Sequence, residues 1–190
     1  MKSKTLFLTL LSIALTMSVS AQKLSGNLSP LKGQKEVNVV IDFAGTTVNR
    51  QSEESHIAFF SRGKNEEELA QWLKEWNQDM RQESYEKLIN ELNQAVSSKG
   101  FSVGNYPNAE CTIVVKVINI QPGAHLMTNS VINTNVSFLK TGENSPFATV
   151  EYKNIIGKYS NYVAHQRTRI AMAFGVLGKK VGATITKNLK

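Results

Sequence analysis

The 190-residue chain holds a single cysteine, Cys111, so no internal disulfide can form and there is no C-x-x-C metal pattern. Histidine is almost as scarce. His56, His125 and His165 lie far apart, outside H-E-x-x-H or any other ligand spacing, so each is expected as a surface or turn residue. Glycine is missing where phosphate loops need it. Neither Gly157-Lys158 nor Gly178-Lys179 follows a glycine at the distance that aims backbone amides at a phosphate. The dinucleotide fingerprint and the G-x-S-x-G nucleophile elbow are also lacking. These gaps lead to an expectation of no cofactor, no bound metal and no catalytic set, and hence of a protein that is not an enzyme. No internal repeat or low-complexity segment is present.

Acidic residues vanish from the end of the chain. From Tyr152 to Lys190 there are eight basic residues and no acidic one, whereas Glu66 to Ser98 carries eight acidic and three basic. If both segments are helical and cover one face of a sheet, their charges complement each other across it. The basic run (Lys158, Arg167, Arg169, Lys179, Lys180, Lys187, Lys190) also admits a membrane-surface reading. Nucleic acid is not expected as a partner, because no stacking aromatics are interleaved with the basic residues.

The strongest local signal is at the start. Lys2 and Lys4 precede an apolar run from Leu6 to Val19, and Val19-Ser20-Ala21 supplies the small residues of a signal-peptidase site. The run falls short of the roughly 20 apolar residues of a membrane span. A secretory signal over residues 1–21 is expected, cut between Ala21 and Gln22, with the product exported to a bacterial periplasm or secreted. Losing Lys2 and Lys4 would lower the formal charge from +7 to +5. Residues 22–35 follow as a flexible polar leader, and residues 36–190 as one domain.

Within that domain, Ala109–Gly123 (AECTIVVKVINIQPG) is short, apolar and β-branched, which predicts a central strand buried on both faces. Cys111 at its start is expected to be a buried, inert thiol. Val37, Val39, Ile41 and Phe43 alternate with Asn38, Val40 and Asp42 and predict a first strand with one well-buried face. Ser130–Lys140 and Phe147–Ile156 alternate likewise around a hairpin at Thr141–Ser145, with Ala148, Val150, Tyr152 and Ile156 assigned to the buried side. Phe101–Asn105 predicts a brief strand.

Asn65 and Glu68 have capping-box spacing. Leu69, Trp72, Leu73, Trp76 and Met80 form one helical stripe, and Tyr85, Leu88, Ile89, Leu92 and Val96 form a second that points nearly the opposite way. A break between Asp79 and Ser84 is therefore expected. The second helix should end at Gly100 in a left-handed cap. The last helix carries Ile170, Phe174, Leu177, Val181 and Ile185 as a core stripe, with Gly175, Gly178 and Gly182 expected to let it approach the sheet. The fold class that results is α+β: a two-layer, mixed, largely antiparallel sheet of about five strands with helices on one face.

Two spots could engage a partner: Phe59-Phe60, in a segment expected as a short strand or flap, and Leu126-Met127 in the loop after the central strand. An enzyme site built from scattered Asp42, His56 and His125 is the competing reading, and a membrane-interacting assembly subunit using the basic helix is a third. The order of VNVVIDFAG, helices, GFSV, AECTIVVKVINIQPG, a long hairpin and RIAMAFGVLGKKVGATI resembles small exported bacterial proteins related to the TolB amino-terminal domain and the curli-assembly lipoproteins. The chain departs from the latter in lacking a cysteine at the cut that could be lipidated. The resemblance implies a non-catalytic envelope or scaffold role, with no residue carried over; the expected partner is another envelope protein or a second copy of the chain.

Overall fold

The computed structural model describes residues 23–124, 128–157 and 165–189. Ala21-Gln22, His125, Leu126, Met127 and Lys158 lie outside them.

β2 (Glu36–Asp42) and β6 (Cys111–Gln121) are parallel neighbours, and β6 continues antiparallel into β7 (Ser130–Lys140) and β8 (Ala148–Gly157). β5 (Ser102–Gly104) lies parallel to β2 on its other side, and β1 (Ser25–Gly26) closes the far edge against β8. β3 (Thr47–Val48) joins β6 and pairs with β4 (Gln51–Ser52), completing an open mixed sheet of eight strands, largely antiparallel, with helices on one face. The strands beyond the expected five include three of only two residues, too short to leave a periodic signal. Residues 23–35 are not loose: Leu28 and Leu31 are fully buried, and β1 is part of the sheet.

Cross-strand register separates the two faces. The row Val39–Ile113–Phe138–Ala148 points into the core, and the next row, Val40–Val114–Ser137–Thr149, points away from it. β6 is therefore buried on one face only, contrary to the sequence expectation. Its other face carries half-buried Val114 and exposed Ile118, because among the described residues no helix crosses it. A second correction concerns Ile156. Asn154 adopts φ 52°, a left-handed conformation that asparagine tolerates well, and the β7–β8 register shifts beside it. Ile155 is thereby turned into the core and Ile156 outward.

The helical layer has three rods: α1 (Glu53–Ser61), α2 (Glu66–Lys74) running through a π-helical turn at Glu75–Asp79 into α3 (Met80–Val96), and α4 (Gln166–Asn188). The predicted capping box forms, with Asn65 Oδ1 accepting from Glu68 N at 2.9 Å and Glu68 Oε2 from Asn65 N at 3.1 Å. The expected break between the two stripes is instead this π turn, one turn earlier. A wide turn resets the phase of a helix while keeping its backbone bonded. Downstream of it, Met80, Ser84, Leu88, Leu92 and Val96 form one buried line at every fourth residue. Gly100 (φ 80°) ends the following 3-10 turn as predicted.

α3 and α4 lie side by side with complementary charges: Arg167 meets Asp79 at 3.1 Å and Glu83 at 3.8 Å, and Lys179 meets Glu91 at 3.4 Å. The glycines of α4 serve this helix–helix contact rather than the sheet. A Cβ added at Gly178 would stand 2.5 Å from the Leu88 carbonyl oxygen, and one at Gly182 would stand 2.3 Å from the Ala95 methyl. Arg169, assigned to a basic surface by sequence, is buried, with its guanidinium directed at the carbonyls of Pro122 and Gly123. Among the described residues no helix is long and apolar enough to cross a membrane.

Candidate functional site

The Phe59-Phe60 segment is helical, which corrects the expected strand or flap. Ser52 caps α1 by accepting from Ser55 N at 3.2 Å, and Glu53 and Glu54 occupy the first turn, where the helix dipole favours carboxylates. α1 then folds back toward α2 through Gly63, whose φ of 75° reverses the chain.

Aromatic rings hold this arm. Phe60 stacks on Trp72 (centroids 5.8 Å, planes 6° apart), and Trp72 stacks on Trp76 (6.0 Å, 6°). His56 lies 4.7 Å from both Phe60 and Trp76, and Phe59 meets Phe60 edge-on at 5.2 Å. Each such pair contributes on the order of 1 kcal/mol beyond area burial. Glu53 ties the arm at its base, accepting from Trp76 Nε1 at 2.7 Å and from Arg81 Nη2 at 2.9 Å through one oxygen. The outer end is open: Phe59 is 60% exposed and Phe60 38%. His56 is only 4% exposed, its Nε2 has no hydrogen-bond partner among the described residues, and burial pushes its pKa down against a smaller upward pull from Glu53.

Beside the arm's base is a cleft of about 990 Å³ at the carboxyl end of β2, a common place for ligands in sheets with parallel strands. Residues 40–45 form one wall, Gln78, Asp79, Arg81, Gln82 and Tyr85 the other, and Glu53 and Glu54 a third side. Arg81 also lies over the Phe43 ring, 4.9 Å from its centroid. Asp42 is at the mouth of the cleft but is engaged. It accepts from Lys116 Nζ at 2.7 Å and from Ala44 N at 2.8 Å, and these two hydrogen bonds, Lys116 first, hold its carboxyl below the usual carboxylate range. The Lys116 ammonium also donates to the Ala44 carbonyl.

Of the scattered trio Asp42, His56 and His125, the cleft collects Asp42; His56 is sealed among the arm's rings, and His125 is outside the described residues. Cys111 is buried, and burial raises its pKa. Sequence reasoning named Phe59 and Phe60 but missed Trp72, Trp76, Glu53 and Arg81 as their supports. The signal was there: Ser52 followed by two glutamates marks a helix start, and His56/Phe60 and Trp72/Trp76 each sit four residues apart, the spacing of one helix face.

By class, the chain is a two-layer α+β protein whose sheet has one face uncovered among the described residues and which carries an aromatic arm and a cleft at one end. It matches no family model and no curated protein. The solved structures it is similar to include the PelC dodecamer from Paraburkholderia phytofirmans, at 9% identity over 83% of this chain and 96% of that one, with a TM-score of 0.43. A point variant of the same dodecamer in another crystal form gives 10% identity over 84% and 92%, with a TM-score of 0.39. Likeness this distant carries no argument about function, and the resemblance to the TolB amino-terminal domain and the curli-assembly lipoproteins is not shown by these comparisons.

Proposed function

We propose that the chain is an exported binding or assembly protein of the bacterial envelope, not an enzyme, and that the aromatic arm is its contact surface. The observation that carries this reading is the exposure of Phe59 and Phe60 at the open end of a stacked ring series. Interfaces are rich in aromatic residues of this kind. The signal-like Met1–Gln22 segment supports export. Asp42, the carboxylate at the cleft mouth, is a stabilised anion bound to Lys116, which suits it poorly to shuttle protons near neutral pH. The basic helix is a poor membrane surface, since Arg167 and Lys179 are already paired with α3 and Arg169 is buried.

The test is a pull-down of the chain starting at Gln22 from its own envelope fraction, alongside Phe59→Ser/Phe60→Ser. One stoichiometric partner recovered by the parent and lost by the variant is expected. Equal recovery by both would remove the arm from the interaction, and repeatedly clean pull-downs would count against the binding reading itself.

A further inference from the structure

The sheet has an unfinished edge. β2 is seven residues long, yet its outer side is paired only at Glu36, Val37 and Asn38, where β5 runs beside it. From Val39 to Asp42 the inner side is fully paired with β6, and no strand among the described residues lies on the outer side. Successive residues of a strand face opposite sides of the sheet. A cleft lined by Val40, Ile41, Asp42 and Phe43 in unbroken succession therefore borders the strand's edge rather than either face. No β6 residue lines it, which places it on the side away from β6. Backbone N–H and C=O groups on such an edge want partners.

We propose that this cleft is a strand-addition site: an extended peptide segment of a partner protein, carrying a lysine or arginine, pairs with the outer edge of β2 beyond the end of β5. A volume of about 990 Å³ admits a short peptide in extended form. Main-chain pairing supplies the affinity and the flanking side chains the selectivity, as in other strand additions. Behind the cleft's α3 wall, the buried Arg81 Nε and Tyr85 hydroxyl both lack a hydrogen-bond partner among the described residues.

Charge selects the occupant. The lining holds four carboxylates against one guanidinium. Asp42, Glu53 and Asp79 are each paired with a cation, and Glu54 makes no ion pair among the described residues. A basic side chain on the peptide would complete that set. The site shares Glu53 and Glu54 with the base of α1, but its pairing edge is β2 and its lining includes neither Phe59 nor Phe60, so losing the Phe59-Phe60 contact would leave it intact.

The test pans a phage-displayed library of random linear peptides against the chain starting at Gln22. Selected peptides are synthesised with and without a central backbone N-methyl group and titrated by calorimetry against the parent, Glu54→Lys and Ile156→Lys. The expected outcome is proline-poor peptides bearing Lys or Arg. N-methylation abolishes their binding, Glu54→Lys weakens it at least about tenfold, Ile156→Lys leaves it unchanged, and 15N spectra show the β2 amides of residues 39–42 shifting on binding. A library that yields no binder, binders indifferent to N-methylation or to Glu54→Lys, or shifts confined to α1 would each overturn the proposal. Circular dichroism of both variants keeps loss of fold from passing as loss of binding.

Discussion

Replacing Gly178 with alanine tests the packing of α3 on α4. The new methyl would sit 2.5 Å from Leu88 O, 3.2 Å from Glu91 Cβ and 3.2 Å from Leu92 N. Non-bonded heavy atoms attract best at roughly 3.5–4.0 Å. The nearest obstacle is backbone, so one helix must move by about 1 Å or the Leu88 carbonyl must tilt. Overpacking of this kind costs about 1–3 kcal/mol. Alanine returns up to about 1 kcal/mol through helix propensity. The net expectation is a loss of about 1–2 kcal/mol, lowering Tm by roughly 2–8 °C in a domain of this size.

Gly175, in the same helix, supplies the control. Its nearest neighbour would be Glu91 Cγ at 3.6 Å, an ordinary contact, so Gly175→Ala should raise stability by up to about 1 kcal/mol. Gly182→Ala would press against the Ala95 methyl at 2.3 Å, and its loss should shrink in the double variant with Ala95→Gly. Urea unfolding with unchanged m-values is the assay. The reasoning is refuted if Gly178→Ala is as stable as the parent, or if Gly175→Ala and Gly178→Ala shift together.

Further expectations concern the arm and the core thiol. Burial depresses the pKa of His56 below the ordinary 6.5, so the unfolded state takes up its proton first. The arm is fully stable above that value and loses stability as pH falls from it toward the lowered native value. Tryptophan fluorescence, from the chain's two tryptophans Trp72 and Trp76, should report this, and His56→Phe should flatten that part of the profile. Glu53→Gln removes the charged acceptor shared by Trp76 and Arg81 and should cost about 1 kcal/mol, since the pair is part-exposed; thermal melts of the two proteins measure it. Cys111 should resist a thiol reagent in the native state and react at full stoichiometry in denaturant, because its thiol is buried and its pKa raised.

How much of this was legible depended on how local the signal was. The alternation in β2, β7 and β8 gave the buried rows because period-two patterning survives any tertiary context, and it failed at Ile156 because the left-handed Asn154 changed the phase. The β6 composition correctly named a central strand. It overstated its burial, since β-branched richness reports suitability for a covered face and not whether a second layer is there to cover it. The two helical stripes correctly demanded a change of face near Asp79, but their spacing could not show that a π turn would supply it without a break. Charge opposition between the helical segments was legible from counting. The partner of the α4 glycines was not, because a glycine records that something comes close and not what. Of the site, Phe59 and Phe60 stood out as apolar residues in a polar stretch. The cleft did not, because it arises from β5 ending short of β2, a long-range pairing that leaves no mark in either segment.

The claim that the arm is a contact surface is tested most directly by placing a photo-crosslinking residue at position 60, with position 187 on exposed α4 as control, and irradiating intact cells. A single discrete adduct from position 60 and none from position 187 is the predicted result. No adduct from position 60, or the same adducts from both positions, would contradict it.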